Sequence, residues 1–265
     1  MAFAESYDER LSAYEGLIQA VSLERGIKHP IRIAIDEWGI HRISADVHKD
    51  VPIRVDVDEC GNMCLPPSGG SVRRRQDRII MNLEDTLVTA LHLNTFIRHA
   101  ASVRMANFTH MPTMGMIDLT RPNSPVLLQT IFYPFELYSR TCGQLALDVF
   151  WHGDTFSGTY NDRSYVGIRT LDVAATLDES RKRLVVYVIN QNKEKAMEAV
   201  ISLTSGQFAG NMQISVINGP DVKAENTYEK PDQVRTRETT IKALGKTLTF
   251  TFEPHSVTAL VCAIR

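Results

Sequence analysis

The chain has 265 residues, 43% hydrophobic and 23% charged, with a formal net charge of −2. That is enough apolar mass for one large domain or two modest ones. The near-neutral charge gives no reason to expect a nucleic acid or an anionic membrane as partner, and no apolar run reaches the ~18–20 residues of a membrane span.

The opening residues Met1–Ser6 carry neither a basic region nor an apolar core, so no secretory signal is read there and a cytoplasmic location is expected. Tyr7 to Arg25 has helical spacing, with Leu11, Tyr14, Leu17, Ile18 and Val21 on one stripe and Gly26 as C-cap. The run Ile31-Arg32-Ile33-Ala34-Ile35-Asp36-Glu37-Trp38-Gly39 reads as a strand. Strict alternation puts Ile31, Ile33, Ile35 and Glu37 on one face, which predicts a packed isoleucine face with a carboxylate at its last residue. In a (β/α) barrel the C-terminal end of a strand is the active-site rim. Trp38 beside it offers a flat apolar surface on which a sugar ring can stack, or which can pack under the following loop. A carboxylate and an indole at such a rim fit a glycosidase.

Residues 39 to about 80 are polar and turn-rich, and a loop of this length after a rim strand is expected to be functional or disordered. His41 lies in it and can donate to a sugar hydroxyl or simply be exposed. So does the Cys60–Cys64 pair, read as two reduced thiols, with a local disulfide as the alternative and no zinc-ligand spacing around it. Asn82 caps the next helix, with Asp85 in its first turn, and the spacing of Leu83, Leu87, Leu91 and Asn94 carries it to about Ala101. Val103 to His110 reads as a second short strand, whose terminal His110 faces the same rim or sits satisfied in the core. Ser124 and Pro125 open another helix through Leu128, Phe132, Phe135 and Tyr138. Cys142 and Cys262 read as small buried apolar residues.

From about 149 onward the pattern changes to strands: Val173–Leu177, Leu184–Ile189, Ala199–Leu203, Met212–Ile217, Leu248–Phe252 and Val257–Ala263, separated by turn signals such as Asn218-Gly219-Pro220. The fold class expected is therefore α/β plus all-β. Residues 1–148 form the last strands and helices of a (β/α)8 TIM barrel, because the region has too few strands for a whole one, and 149–265 form a C-terminal β-sandwich.

Four separated segments, in order, match one family. They are Asp36-Glu37-Trp38; Leu93-Asn94-Thr95-Phe96-Ile97-Arg98-His99-Ala100 with Val103-Arg104-Met105-Ala106-Asn107; Asn218-Gly219-Pro220-Asp221 with Asn226-Thr227-Tyr228-Glu229-Lys230-Pro231; and Pro254-His255-Ser256-Val257. Together they resemble the C-terminal half of an α-L-arabinofuranosidase of glycoside hydrolase family 51. The resemblance implies a barrel followed by a jelly-roll-like sandwich, and retaining hydrolysis of terminal arabinofuranosyl groups from polysaccharides and oligosaccharides, with no cofactor and no metal. It implies Glu37 as nucleophile and Trp38, His41 and His110 as substrate-binding residues. The family's acid/base lies in an Asn-Glu motif on an earlier barrel strand. Here Glu5, Glu9, Glu15 and Glu24 all lie on or beside the first helix, so the expected partner is a missing N-terminal barrel half or further copies of the chain. Two departures stand out. Gly39-Ile40-His41 replaces the family's Asn-Val-Trp, and His110 stands where the family often has a glutamine. Two other readings stay open: a catalytically inactive fragment, or a related glycosidase for a glucan or xyloglucan.

Overall fold

The computed structural model describes residues 1–39, 81–108, 116–118, 121 and 123–265, with the backbone of 56–57 and 63–64. In chain order the elements are α1 (Ala2–Arg25), β1 (Ile33–Trp38), β2 (Asp56–Val57), β3 (Met63–Cys64), α2 (Leu83–Arg98), β4 (Val103–Phe108), β5 (Ile117–Asp118), β6 (Leu127–Leu128) and α3 (Phe132–Thr141). Strands follow: β7 (Leu145–Leu147), β8 (Thr155–Tyr160), β9 (Arg163–Arg169), β10 (Leu171–Leu177), β11 (Arg183–Asn190), β12 (Met197–Ser202), β13 (Phe208–Asn218), β14 (Arg235–Gly245), β15 (Thr247–Phe252) and β16 (Ser256–Ile264).

The centre is a six-stranded antiparallel sheet in the order β14-β13-β16-β11-β10-β7. Period-two alternation gives its strands two apolar faces. On β11, Val185, Tyr187 and Ile189 join the core under the helices with Leu83, Leu87, Leu91 and Leu137. Leu184, Val186 and Val188 face the other way, into a core closed by the β12–β15 ribbon through Phe250, Phe252 and Leu248. The sandwich is thus lopsided, with six strands against two and with α2 and α3 covering the outer side of the larger sheet. The sheet begins at Leu145, slightly before the expected boundary at 148. Gly143 makes that entry possible, because a Cβ there would collide with the Leu177 carbonyl.

β1 and β4 form a separate parallel pair. α2 connects them across the interposed segment, starting at Asn82, whose side chain accepts from the Asp85 N–H while Asp85 accepts from the Asn82 N–H. This capping box satisfies donors a helix start otherwise leaves open. α1 ends at Gly26, in the left-handed conformation at φ 63°, where glycine is strain-free.

Four expectations are corrected. The isoleucine face is not a fully packed one: Ile31 precedes the strand and is exposed, and Ile33 and Ile35 are only half-buried. The helix expected from Ser124 starts at Phe132, since Leu127–Leu128 pair with Ile117–Asp118 instead. Cys142 caps α3 and is exposed, whereas Cys262 is buried as expected, its thiol pushed up to about 11 by desolvation. Strands β2, β3, β5, β6, β7, β8, β9 and β14 were not anticipated.

Candidate active site

Glu37 is the penultimate residue of β1 and is exposed. Pairing runs Ile35 to Ala106 and then Trp38 to Phe108, so Asp36 and Glu37 together oppose Asn107 alone. Such a bulge re-aims side chains and recurs beside active sites. It also explains why Asp36, expected on the opposite face, is exposed as well. The end of the strand presents two carboxylates beside the exposed amide of Asn107, an acceptor set with a neighbouring donor.

Trp38 turns the other way and is only 3% exposed. Its ring stacks on His92 at 5.5 Å and meets Phe96, Phe108 and Phe135 edge-on or tilted at 5.1 to 5.6 Å. Of its two expected uses, packing is the one this geometry fits. The ring fixes the end of β1 to α2 and α3, while its neighbour Glu37 stays exposed. His92, which the sequence reading passed over, is the other half of the stack. Its Nδ1–H donates to the Val88 carbonyl at 2.7 Å, and burial lowers its pKa to about 4, so the ring is neutral. Phe3 and Tyr7 of α1 cover it from behind. His41 and His110 lie outside the described residues, as does Cys60, and of Cys64 only the backbone is described. Among the described residues no group of three His, Cys, Asp or Glu side chains is placed to hold a metal, and no helix is long and apolar enough to cross a membrane.

The direction of the pair is set by its neighbours. The Ile33 N–H donates to the Ser102 carbonyl just after α2, so the end of α2 lies at the start of both strands. The start of α2 therefore lies on the side of Glu37. Trp38 touches His92, nine residues after Leu83; at 1.5 Å per residue the first residue of α2 lies ~13 Å from it along the helix.

The sequence profile described as Alpha-L-arabinofuranosidase C-terminal domain matches residues 36–256, starting at the Asp36-Glu37-Trp38 strand end. The chain belongs to this family. An exo-alpha-(1->6)-L-arabinofuranosidase of Bifidobacterium longum is 26% identical over 218 residues, covering 82% of this chain and 38% of the relative. An intracellular exo-alpha-(1->5)-L-arabinofuranosidase of Streptomyces lividans is 26% identical over 68% of this chain and 26% of its own length. The fold matches the α-L-arabinofuranosidase of Thermotoga maritima, with TM-score 0.75, 22% identity, and coverage of 98% of this chain and 48% of that one. The chain thus spans about half or less of the relatives it matches.

The other family segments have structural work. Asn94 donates to Asp172 at 2.6 Å and accepts from the Tyr138 hydroxyl at 2.6 Å. Arg98 donates to both Asp172 oxygens, at 3.0 and 3.1 Å, and to Asp8 at 2.9 Å, tying α1, α2 and β10 together. Burial would raise the Asp8 carboxyl, but hydrogen bonds from His99 and Arg98 and the Arg98 charge outweigh it and hold it at about 2. Glu9 pairs with Arg163 at 2.6 Å and Glu15 with His99 at 3.0 Å, so both of these α1 carboxylates are engaged.

Proposed function

We propose that this chain is the nucleophile-bearing half of a retaining α-L-arabinofuranosidase, with β1 and β4 as the last strands of a (β/α)8 barrel and the sandwich behind them. The observation that carries the reading is Glu37, exposed at a bulged C-terminal strand end on a parallel pair, within the segment matching an arabinofuranosidase domain. In this reading Glu37 attacks the anomeric carbon of a terminal arabinofuranosyl group and forms a glycosyl-enzyme. A second carboxyl group, about 5–5.5 Å away, protonates the leaving oxygen and then takes a proton from the attacking water. Asn107 is suited to hydrogen-bond the ionised carboxylate or a sugar hydroxyl. His41 and His110 are proposed to contact the sugar, and Trp38 to hold the strand end.

The second carboxyl group is assigned to the other barrel half. Two surfaces suit that partner. The C-terminal half of α1 exposes Tyr14, Leu17 and Val21 at helical spacing, with Leu17 60% exposed, and the parallel pair exposes Met105 on β4, with Ile31 exposed just before β1. Exposed apolar faces mark an interaction site.

The test is complementation. The chain alone and the chain co-expressed with the N-terminal half of the Thermotoga maritima relative are assayed on 4-nitrophenyl α-L-arabinofuranoside. The reading predicts no turnover alone and turnover in the pair. A pair that assembles and stays silent contradicts it.

A further inference from the structure

We propose that the sandwich contributes to the rim around Glu37, through the β13–β14 connection 219–234, with Asn226 and Tyr228 as positioning residues. The proposal rests on the reading of Glu37 given above. Three chain segments meet on the side to which β1 and β4 point. One is the start of α2, another is the described part of the β4–α3 connection, and the third is this sandwich loop.

The loop grips the first segment through backbone. The Leu83 N–H donates to the Ala224 carbonyl and the Glu84 N–H to the Val222 carbonyl, each at 2.9 Å. These are first-turn donors that a helix cannot satisfy itself. Glu84 also pairs with Lys223 and, at 3.2 Å, with Lys193. Burial would raise its carboxyl, and the two lysines hold it at about 2 instead.

The loop grips the second segment through side chains. Asn226, fully buried, donates to the Leu128 carbonyl at 3.2 Å and to the Val234 carbonyl at 2.9 Å, and accepts from the Val234 N–H. The Tyr228 hydroxyl donates to Asp118, whose carbonyl and Oδ1 lie at 3.2 and 3.3 Å, and accepts from the Arg121 N–H. The Arg121 guanidinium lies over the Tyr228 ring and bonds Glu229 at 2.8 Å. The first two segments are also tied to each other, the Met81 N–H donating to Gln129 and the Thr130 hydroxyl to the Asn82 carbonyl.

The three segments form one hydrogen-bonded unit. Most of its bonds end on backbone, so they fix chain path rather than fill space. By helix rise the first residue of α2 lies ~13 Å along the helix from His92. If Glu37 is the nucleophile, this is the side of the strand ends toward which the remainder of an oligosaccharide extends. The sandwich is therefore a specificity element for the leaving-group side of the substrate, acting through the two rim segments.

The experiment uses Tyr228→Phe, which keeps the ring and removes the hydroxyl, in the complemented enzyme. The expected result is a KM for an arabino-oligosaccharide raised about 5- to 10-fold at unchanged kcat, with KM for 4-nitrophenyl arabinofuranoside within twofold of wild type. Val200→Ser, on the exposed far ribbon, leaves both substrates unchanged. Amide exchange on the chain alone is read in parallel and is expected to quicken across 123–131 and 81–86. Unchanged exchange overturns the clasp whatever the kinetics. Faster exchange with an unmoved oligosaccharide KM overturns its role in specificity. A silent wild-type pair is a failure of the Glu37 reading and is recognised because the unmutated enzyme itself does nothing.

Discussion

β11 and β1 are both apolar strands, and they end in opposite situations. On β11 seven consecutive residues from Leu184 to Asn190 are buried, because helices cover one face and the β12–β15 ribbon the other. On β1 only Trp38 is buried, and the isoleucines that looked equally core-like are half-covered. The difference lies in what packs against the strand. The sandwich closes within this chain, whereas the parallel pair has one finished face, built on Trp38 and His92, and one open face that carries Glu37. Burial is a property of the partner element, and among the described residues nothing buries the face that carries Glu37.

The largest expected effect falls on the open side. Glu37→Gln in the complemented enzyme should lower turnover by on the order of 10⁴-fold, since the amide cannot act as nucleophile. Its melting temperature should not move, because the side chain is exposed; a large loss of stability would mean that Glu37 is a structural residue.

The closed side breaks differently. Arg98→Met leaves Asp8 and Asp172 without their shared cation. Removing one partner of a buried pair costs about 3–5 kcal/mol, which urea unfolding of the chain would read as a lower midpoint at unchanged slope. A loss below about 1 kcal/mol would reduce the network to surface pairing.

The face that joins the two regions should respond to pH. His92 titrates near 6.5 when unfolded and at about 4 when buried. Between those values the unfolded chain binds a proton that the folded chain refuses. Stability should therefore fall as pH drops from about 6.5 to about 4. Asp8 and Glu84, both held at about 2, add a further loss as pH falls from the ordinary carboxylate range toward 2. His92→Leu should flatten the first part of the curve and leave the second. An unaltered slope would show that the ring is not kept neutral by the stack.

What the sequence made legible follows the same division. Asn82 and Asp85 announced the start of α2, and the apolar runs of β10, β11 and β16 announced the sheet, because local signal and tertiary contact agree there. The β8–β9 hairpin escaped notice because Thr155–Tyr160 is mixed in character and its turn is Asn161-Asp162. Both turn residues have positive φ, 47° and 58°, the pattern of a two-residue hairpin loop. β14 escaped because an edge strand is kept polar, here with Arg237, Glu238 and Lys242. Pro125 signalled a helix that tertiary pairing overrode. For the site, the position of Glu37 near the end of a strand was legible from the alternation before it. Trp38 was legible only as an aromatic with two uses, since its packing depends on His92 and Phe96, one helical turn apart on an element far along the chain. The bond from Tyr228 to Asp118 was invisible, because it joins residues 110 positions apart.

The most direct measurement is the site of covalent attachment. The complemented enzyme is incubated with a slow 2-fluoro arabinofuranosyl substrate, digested, and its peptides are weighed. The account predicts one 2-deoxy-2-fluoroarabinofuranosyl adduct, on the peptide containing Glu37 and absent from Glu37→Gln. An adduct on any other residue, or turnover without an adduct by an enzyme that inverts the anomeric centre, would contradict it.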